Sequence, residues 1–349
     1  MTDDAARAWF AGLLASGRAP APPPSALAGL VAGMLESTTL LPQGVAGYAL
    51  NRAFVPLDEA RIRAALDDLR AGAATDLDAV SSGTSDDSNP PSSRGAEQRG
   101  DLAAQVPIAV RVLPICTSTQ DDARALAATA LPAASACVVL AEAQTGGRGR
   151  AGRRWDTAPL ASLALTLVTD TRLPASALPA LAPALGVVLA EALAPEAADL
   201  GLKWPNDLWR DGGKLAGLLV EAAPRADGSL RLAIGLGLNV RELPVLQALG
   251  RPVRALPQGG RIDRSRLAAR LIDALWRGWQ IYAAEGFVPF AARYAERDLL
   301  RGQSVTLSIG GIQRTGIGVG LAEDGALLLD FDGRIKRIVA GEVEGPLQR

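Results

Sequence analysis

Histidine is absent from all 349 residues, and this absence excludes more chemistry than any other feature of the composition. Without imidazole there is no general base poised near neutrality, no histidine metal ligand and no Ser-His triad, so any catalysis must run on charge and positioning. Cysteine is almost as scarce, with only Cys116 and Cys137, each in an apolar run (PICTS and SACVV). Two such residues make no disulfide framework and read as buried, inert thiols. Lysine is the third scarcity: Lys203, Lys214 and Lys336 stand among 36 basic residues, the other 33 being arginine. In a chain that writes arginine almost everywhere, a lysine marks a place where a compact ammonium can do what a planar guanidinium cannot. Nothing approaches about 18 uninterrupted apolar residues. The N-terminal MTDDAARAWF is acidic, so neither a membrane span nor a signal peptide is predicted, and the expected setting is cytoplasmic. Charge of one sign is missing too. The 36 basic residues face 37 acidic ones, for a net charge of −1, whereas a protein held to nucleic acid by counterion release usually shows a basic face.

What is present is concentrated. Residues 144–155, QTGGRGRAGRRW, hold four glycines and four arginines. Gly146, Gly147, Gly149 and Gly152 permit positive φ and close approach to a ligand, while Arg148 and Arg150 can reach one polyanion from a single stretch of chain. Such a loop suits phosphate. The same twelve residues also read as a solvated basic loop or as an RGG-type RNA-binding segment, so the surrounding chain has to decide.

The length allows two or three domains. Residues 1–70 are rich in alanine and proline, with helical patterns at 6–14 and 57–69 separated by Pro20–Pro24 and a turn-rich stretch at 41–48. Residues 71–105 lose apolar content, as in SSGTSDDSNPPSSRG, and are expected to be a disordered linker or insertion. From residue 106 strand and helix alternate: a strand at 108–113, an Ala-rich helix near 120–130 behind a Ser118-Thr119 cap, and an apolar strand at 136–142. That last strand runs directly into the basic loop. Further strands are expected at 163–168 and 200–204, a buried helix at 178–193, and a hairpin pairing 215–221 with 230–236 across Ala226-Asp227-Gly228. Helices follow at 263–285 and 288–298. The C-terminal residues change period, with short β-runs at 304–309, 313–318, 326–330 and 335–339 between Gly-rich turns, a spacing that suggests a small β-barrel.

Two further constellations lie downstream of the loop. In Lys203-Trp204-Pro205-Asn206-Asp207 the proline stiffens a strand end, so that an amide and a carboxylate project together in a way suited to Mg²⁺ and phosphate. Pro-Asn-Asp is also ordinary turn sequence. In Gly213-Lys214-Leu215-Ala216-Gly217 a lysine opens an apolar strand, where a solvated edge charge is the plainer reading.

Taken in order, Ser118-Thr119-Gln120, GRGRAGRRW at 147–155, KWPND at 203–207 and KLAG at 214–217 resemble the motifs of the biotin protein ligases. Gly235-Leu236-Gly237-Leu238-Asn239 adds a weaker fifth. The resemblance covers about residues 107–349, and GALLLDFDGRIKRIVAGEV is similar to that family's C-terminal SH3-like domain. It implies an α+β architecture in four parts: a degenerate, vestigial winged-helix-like domain at 1–70, the linker or insertion at 71–105, a mixed-sheet catalytic domain of the biotin/lipoate ligase type at 106–300, and a C-terminal SH3-like β-barrel at 301–349.

The resemblance also implies roles. Ser118, Thr119 and Gln120 correspond to the biotin-binding turn, with Gln144, Gly147 and Gly149 beside the ureido ring; many relatives have Asn where this chain has Gln120. Arg148 and Arg150 correspond to loop residues closing over biotin and the adenylate, and Lys214 to the lysine facing the biotin carboxylate and the α-phosphate. Trp155 and Asn239 would lie by adenine, Lys203 would support the ATP phosphates, and Asn206 and Asp207 would hold Mg²⁺ or orient the nucleophile. Lys214, Arg150 and Asp207 are then the catalytic set. The implied reaction uses Mg-ATP to convert biotin to biotinyl-5′-AMP, then transfers biotin to a lysine of a biotin carboxyl carrier protein. Three alternatives stand beside it. Some relatives are also repressors with a DNA-reading N-terminal domain, but residues 20–41 carry no Arg or Lys and residues 1–70 balance six Arg against seven acidic residues, which argues against specific DNA binding. Lipoate ligases share the architecture and differ in the acid. An RGG-type RNA binder is the reading outside enzymology. Relatives also form homodimers along the central sheet edge, which leaves a homodimer open here.

Overall fold

The computed structural model describes residues 3–19, 23, 27, 30–31, 34, 40–42, 48–50, 55–81, 108–128, 136–242, 252–309 and 312–343. Helix α1 (Asp3–Ser16) precedes three short strands, β1 (Arg18–Ala19), β2 (Leu40–Pro42) and β3 (Tyr48–Leu50), which pair antiparallel in the order β1-β3-β2. The turn-rich stretch between the two N-terminal helical patterns therefore contributes to a small sheet. Phe10 and Leu13 of α1 are fully buried, and they share an apolar cluster with Ile115, Ala143, Ala158 and Leu160.

Helix α2 (Glu59–Ser81) runs past the expected boundary at 70 and through the first residues of the expected linker. Residues 82–105 of that linker lie outside the described residues. Ile62 and Leu66, with Leu57 just ahead of the helix, are buried in the main core, so α2 packs with the central sheet rather than with α1.

Seven strands make that sheet: β4 (Ile108–Cys116), β5 (Ala136–Gln144), β6 (Ser162–Thr171), β7 (Gly201–Lys203), β8 (Asp207–Arg210), β9 (Gly213–Pro224) and β10 (Leu230–Asn239). Their spatial order is β4-β5-β6-β10-β9-β8-β7; β4 and β5 are parallel and every other pair is antiparallel, so the sheet is mixed. Strand β5 is buried along its whole length, which is why its sequence reads as a continuous apolar run instead of an alternating one. Helix α3 (Thr119–Ala128) covers one face, where Ala123 and Ala127 meet Cys137, Val139, Val168 and Ala233. The other face is covered by α2, α4 (Leu181–Ala192), α5 (Arg264–Glu285) and α6 (Val288–Ala295), with Leu163, Leu165, Leu167, Ile234 and Phe290 in the shared core. Asp263 caps α5 through hydrogen bonds from the Ser265 and Arg266 amides at 3.1 and 3.3 Å.

The expected 215–221/230–236 hairpin is present and longer, with Pro224 opposite Leu230 and Ala216 opposite Leu238. In the central sheet one strand was not anticipated. The PND segment is a turn only as far as Asn206, and Asp207 begins β8, opposite Lys203 on β7.

At the C-terminus β11 (Ser304–Ile309), β12 (Ile312–Leu321), β13 (Leu327–Phe331), β14 (Arg334–Ile338) and β15 (Glu342–Val343) form an antiparallel sheet in the order β14-β13-β12-β11-β15. Trp204 reaches from the central sheet into this sheet's core, and its Nε1 donates to the Gly325 carbonyl at 3.0 Å. No helix of the described residues is long and apolar enough to cross a membrane.

Candidate active site

The face covered by α3 opens two residues beyond Ala233, where β10 places Gly235 and then Gly237 on the same side. Thr166 lies opposite Gly235 on β6, and Ala164 and Gly217 flank Gly237, so the sheet offers a nearly side-chain-free floor. The glycines are required by contact. A Cβ on Gly237 would stand 2.2 Å from the Trp155 ring, and one on Gly235 would stand 2.7 Å from Gln120 Nε2. Above this floor lies a cleft lined by the Ser118-Thr119-Gln120 turn, the basic loop and the start of β9.

One end of the cleft is polar and uncharged. Gln144 Oε1, at the end of β5, accepts from the Thr119 amide at 2.9 Å and from Thr119 Oγ1 at 3.2 Å, while its Nε2 donates to Thr157 Oγ1 at 3.0 Å. Thr166 Oγ1 donates to Thr119 Oγ1 at 2.9 Å, and Gln120 Nε2 donates to the Leu219 carbonyl at 3.0 Å. Ser118, Thr119, Gln120 and Gln144 are all buried. Gln120 Oε1 and Trp155 Nε1 are buried in the cleft wall without a hydrogen-bond partner, as is Asn239 Oδ1 at the end of β10. Buried polar atoms normally find partners, so orphans grouped around a cleft point to a ligand.

The basic loop is folded back on itself. The Gly149 amide donates to the Arg153 carbonyl at 2.7 Å, and the Trp155 amide donates to the Gly147 carbonyl at 2.9 Å. Of its four glycines only Gly152 takes a positive φ, 71°, and Ala151 takes 54° beside it at the tip. Of the two freedoms expected of these glycines, positive φ is used at Gly152. Gly147 serves close approach instead, since a Cβ there would sit 2.4 Å from the Trp155 carbonyl oxygen. Arg148 Nη2 pairs with Asp121 at 2.8 Å and with Glu221 at 3.4 Å.

The other end of the cleft is cationic. Lys214 Nζ lies 2.6 Å from Asp207 Oδ1 and 5.4 Å from the centroid of the Trp155 ring, both side chains of the ion pair being largely buried. Trp155 thus fills the space over Gly217 and Gly237 and fixes the lysine from the side. Burial lowers the pKa of Arg150, opposed by Asp207 and reinforced by Arg153. Lys203 is buried on β7 with its Nζ 4.7 Å from the Trp209 ring; burial lowers its pKa, partly opposed by Asp207. Asn206 is pinned at both ends, its Nδ2 donating to the Leu218 carbonyl at 2.6 Å and its own carbonyl accepting from the Leu218 amide at 2.9 Å. Asn239 Nδ2 donates to the Arg254 carbonyl at 3.2 Å.

Ser118, Thr119, Gln120, Gln144, Arg148, Gly149, Arg150, Trp155, Asn206 and Lys214 therefore line one cleft. Gly147, Lys203, Asp207 and Asn239 stand behind that wall: Asp207 on Lys214, Gly147 under Trp155, Asn239 at the end of the floor strand. Sequence reasoning passed over Thr166, whose only signal was a hydroxyl alternating with leucines in LALTLV, and it passed over Asp121 and Glu221, which look like surface charge until Arg148 is seen between them. Cys116 and Cys137 are buried and free, and burial raises their pKa to about 12 and about 11.

Residues 114–239, from the end of β4 to Asn239, match the model of the biotin/lipoate A/B protein ligase family. The chain is 34% identical over 237 residues to the bifunctional ligase/repressor BirA of Escherichia coli, covering 67% of this chain and 73% of that protein. It is 34% identical over 220 residues to the biotin–[acetyl-CoA-carboxylase] ligase of Mycobacterium tuberculosis, covering 59% and 77%. Among solved structures it is similar to the biotin protein ligase of Aquifex aeolicus in complex with biotin and ATP, with 26% identity and a TM-score of 0.57 over 69% of this chain and 99% of that one. A third of the residues shared across almost three quarters of a full-length relative, together with a cleft built on the matched segment, places this chain in the biotin protein ligase family.

Proposed function

We propose that the chain is an ATP-dependent biotin ligase that forms biotinyl-5′-AMP and transfers biotin to a lysine of a carboxylase carrier domain. One observation carries this reading: a single cleft has a polar, uncharged end and a cationic end. The buried Thr119, Gln120 and Gln144 suit a ureido ring that both donates and accepts hydrogen bonds, and the unpartnered Gln120 Oε1 is an acceptor waiting for an N–H. A dithiolane ring has no such groups, which favours biotin over lipoate.

Adenylation requires a carboxylate to attack an α-phosphate, so its barrier is dominated by repulsion between anions and by charge on the phosphoryl oxygens. Lys214 and Arg150 bring fixed positive charge to that end of the cleft, and Arg148 holds the loop against α3 and β9. Asp207 fixes Lys214 in place, and a carboxylate there also suits the incoming carrier lysine, which must be neutral to attack the acyl carbon as AMP departs. A closed basic loop keeps water from the mixed anhydride. Ser118, Gly147 and Gly149 complete the polar end, while Trp155, Asn239 and Lys203 support the nucleotide side.

Mg²⁺ fits these residues in a limited way. No group of three or more metal-ligating Asp, Glu, Cys or His side chains occurs among the described residues, and Asn206 Nδ2 is committed to Leu218, leaving an amide oxygen and the Asp207 carboxylate. That is the ligand set of an ion carried mainly by phosphates and water. When bound, the ion neutralises phosphate charge.

The remaining assignments follow the same reading. The five-stranded C-terminal sheet supports an SH3-like barrel domain at 301–349. Helix α1 with its three-stranded sheet supports a degenerate winged-helix-like unit at 1–70, and the burial of Phe10 and Leu13 against the catalytic strands, with the near-neutral charge of 1–70, favours a ligase over a ligase that also reads DNA. The proposed setting is the cytoplasm. Exchange of pyrophosphate into ATP with biotin, with lipoate and with neither, followed by mass analysis of an added carrier domain, tests the proposal. Exchange with biotin alone and a biotin adduct on the carrier lysine are expected; exchange with no acid would overturn it, and salt-dependent operator binding would restore the repressor alternative.

A further inference from the structure

Three charged side chains outside the assigned site, Asp121, Arg124 and Glu221, form a closed group with Arg148 of the basic loop. Arg148 Nη2 reaches Asp121 Oδ1 at 2.8 Å and Glu221 Oε2 at 3.4 Å; Arg124 Nη2 reaches the same Glu221 oxygen at 2.7 Å and its Nη1 lies 4.0 Å from Asp121. Two cations and two anions thus alternate around a square. The four come from three separate places: Asp121 and Arg124 from the first turns of α3, Glu221 from β9, and Arg148 from the loop.

The placement gives the square a mechanical meaning. Asp121 follows Gln120 directly, so the carboxylate that holds the loop and the amide that faces the cleft are neighbours on one helical turn. Glu221 lies two residues beyond Leu219, whose carbonyl receives Gln120 Nε2. The root of the loop is tied to the segment ahead of α3 by the Thr145 and Gly146 amides, which donate to the Cys116 and Thr117 carbonyls at 3.0 and 2.8 Å, while the Arg154–Thr145 bond and the hairpin bonds are internal to the loop; Arg148 adds ties to α3 and β9. A single exposed ion pair adds little to stability, but a charge-neutral square with Arg124 and Glu221 about one-third exposed is a network, in which each arginine orients a carboxylate for the other.

We infer that Asp121, Arg124 and Glu221 are positioning residues of the adenylation reaction, holding Arg148 and through it the whole basic loop over the polar end of the cleft. The inference rests on the biotin ligase reading for its kinetic consequence and on geometry alone for its structural one. The cluster sets how much of the closing of the loop is done before a substrate arrives, so its loss appears in substrate affinity and retention of the intermediate, not in the chemical step.

The experiment pairs Asp121→Asn with Glu221→Gln, singly and together, in the full chain. Trypsin cleaves after the loop arginines, and its rate on the protein alone reports loop attachment. Removing both carboxylates is expected to speed cleavage roughly tenfold, and raising salt to about 0.5 M is expected to speed it in the unaltered protein but not in the double variant. In pyrophosphate exchange the same variant is expected to raise KM for biotin about tenfold with kcat within about twofold, since no group touching the reacting atoms is removed. Exchanging the charges, Arg124→Glu with Glu221→Arg, keeps that one pair opposite but sets like charges against Arg148 and Asp121, so it is expected to be cleaved at least as fast as the double carboxylate variant. If the double variant does not fold, the single variants carry the same readouts at smaller amplitude. Unchanged cleavage and unchanged KM in folded variants would overturn the inference, as would a fall in kcat with KM constant. A wild-type protein without biotin-dependent exchange would sink the ligase reading and leave the trypsin result to decide the role of the cluster.

Discussion

Lys214 is one of three lysines in a chain with 33 arginines, and the structure supplies a reason for the ammonium. Its Nζ lies between Asp207 and the face of Trp155, and a Cβ on Gly217 would stand only 3.0 Å from it, so Gly217 is what leaves space for the ammonium. Lys214→Met is expected to reduce biotin-dependent pyrophosphate exchange by roughly 10²- to 10³-fold, the usual cost of removing one group that stabilises transition-state charge. Gly237→Ala is expected to displace Trp155, lowering stability by about 1–3 kcal/mol and raising KM for ATP, checked by urea unfolding and by exchange kinetics. Lys203 makes a pH prediction. Burial lowers its pKa, so the positive charge it contributes is lost at a lower pH than that of an exposed lysine as pH rises. The alkaline limb of adenylation should fall there, and Lys203→Arg should move it upward; an unmoved limb would remove Lys203 from the phosphate side. At this scale residue identities were legible because the motifs are made of rare types. The partners were not: nothing in KLAG shows that Asp207 and Trp155 meet Lys214, since those contacts join three separate segments.

Strand β4 forms one edge of the central sheet, where an unpaired backbone would offer itself to another chain. Helix α2 closes it. Glu59 accepts from the Val112 amide at 2.9 Å, Arg63 donates to the Val110 carbonyl at 2.6 Å, and the two side chains pair with each other at 2.8 Å. Pro114, next in the same phase, has no N–H to offer. Glu59→Ala with Arg63→Ala is expected to expose this edge and increase concentration-dependent self-association in sedimentation velocity relative to the unaltered protein; an unchanged sedimentation profile would mean that the helix backbone alone is enough cover. Element existence was readable from period and turn chemistry, because buried strands, an amphipathic α5 and Gly-rich turns follow local rules. Strand β8 escaped because its four residues, DLWR, follow a turn motif and are held by pairing to β7 and β9 rather than by any pattern of their own. The extension of α2 to Ser81 escaped for the opposite reason, since its last turns leave the apolar period on which the helix was recognised.

The segment leading into α2, strands β5 and β6 and helix α5 meet at a buried ion pair. Glu142 on β5 and Arg264 on α5 are 1% and 7% exposed, and the guanidinium meets the carboxylate at 2.8 and 3.0 Å. Arg264 also donates to the carbonyls of Val55 and Ser162, and the Leu57 amide donates to Glu142, so the segment leading into α2, the floor strand β6 and α5 converge on one charge pair. Arg264→Met leaves Glu142 buried and unpaired and is expected to cost about 3–5 kcal/mol in urea unfolding, with much of it recovered when Glu142→Leu is added. Absence of that recovery would show that the backbone donors, not the charge, matter most. Composition and motif order were enough to exclude histidine chemistry, to place the basic loop after a strand and to reach the ligase family, because scarcity of a residue type and short-range spacing are properties of the chain itself. Which carboxylate holds Arg148, which glycine makes the floor for Trp155, and which ion pair joins α5 to the segment ahead of α2 are long-range pairings. They were decided when the fold brought residues up to 209 positions apart within hydrogen-bond reach, a choice that no local pattern encodes.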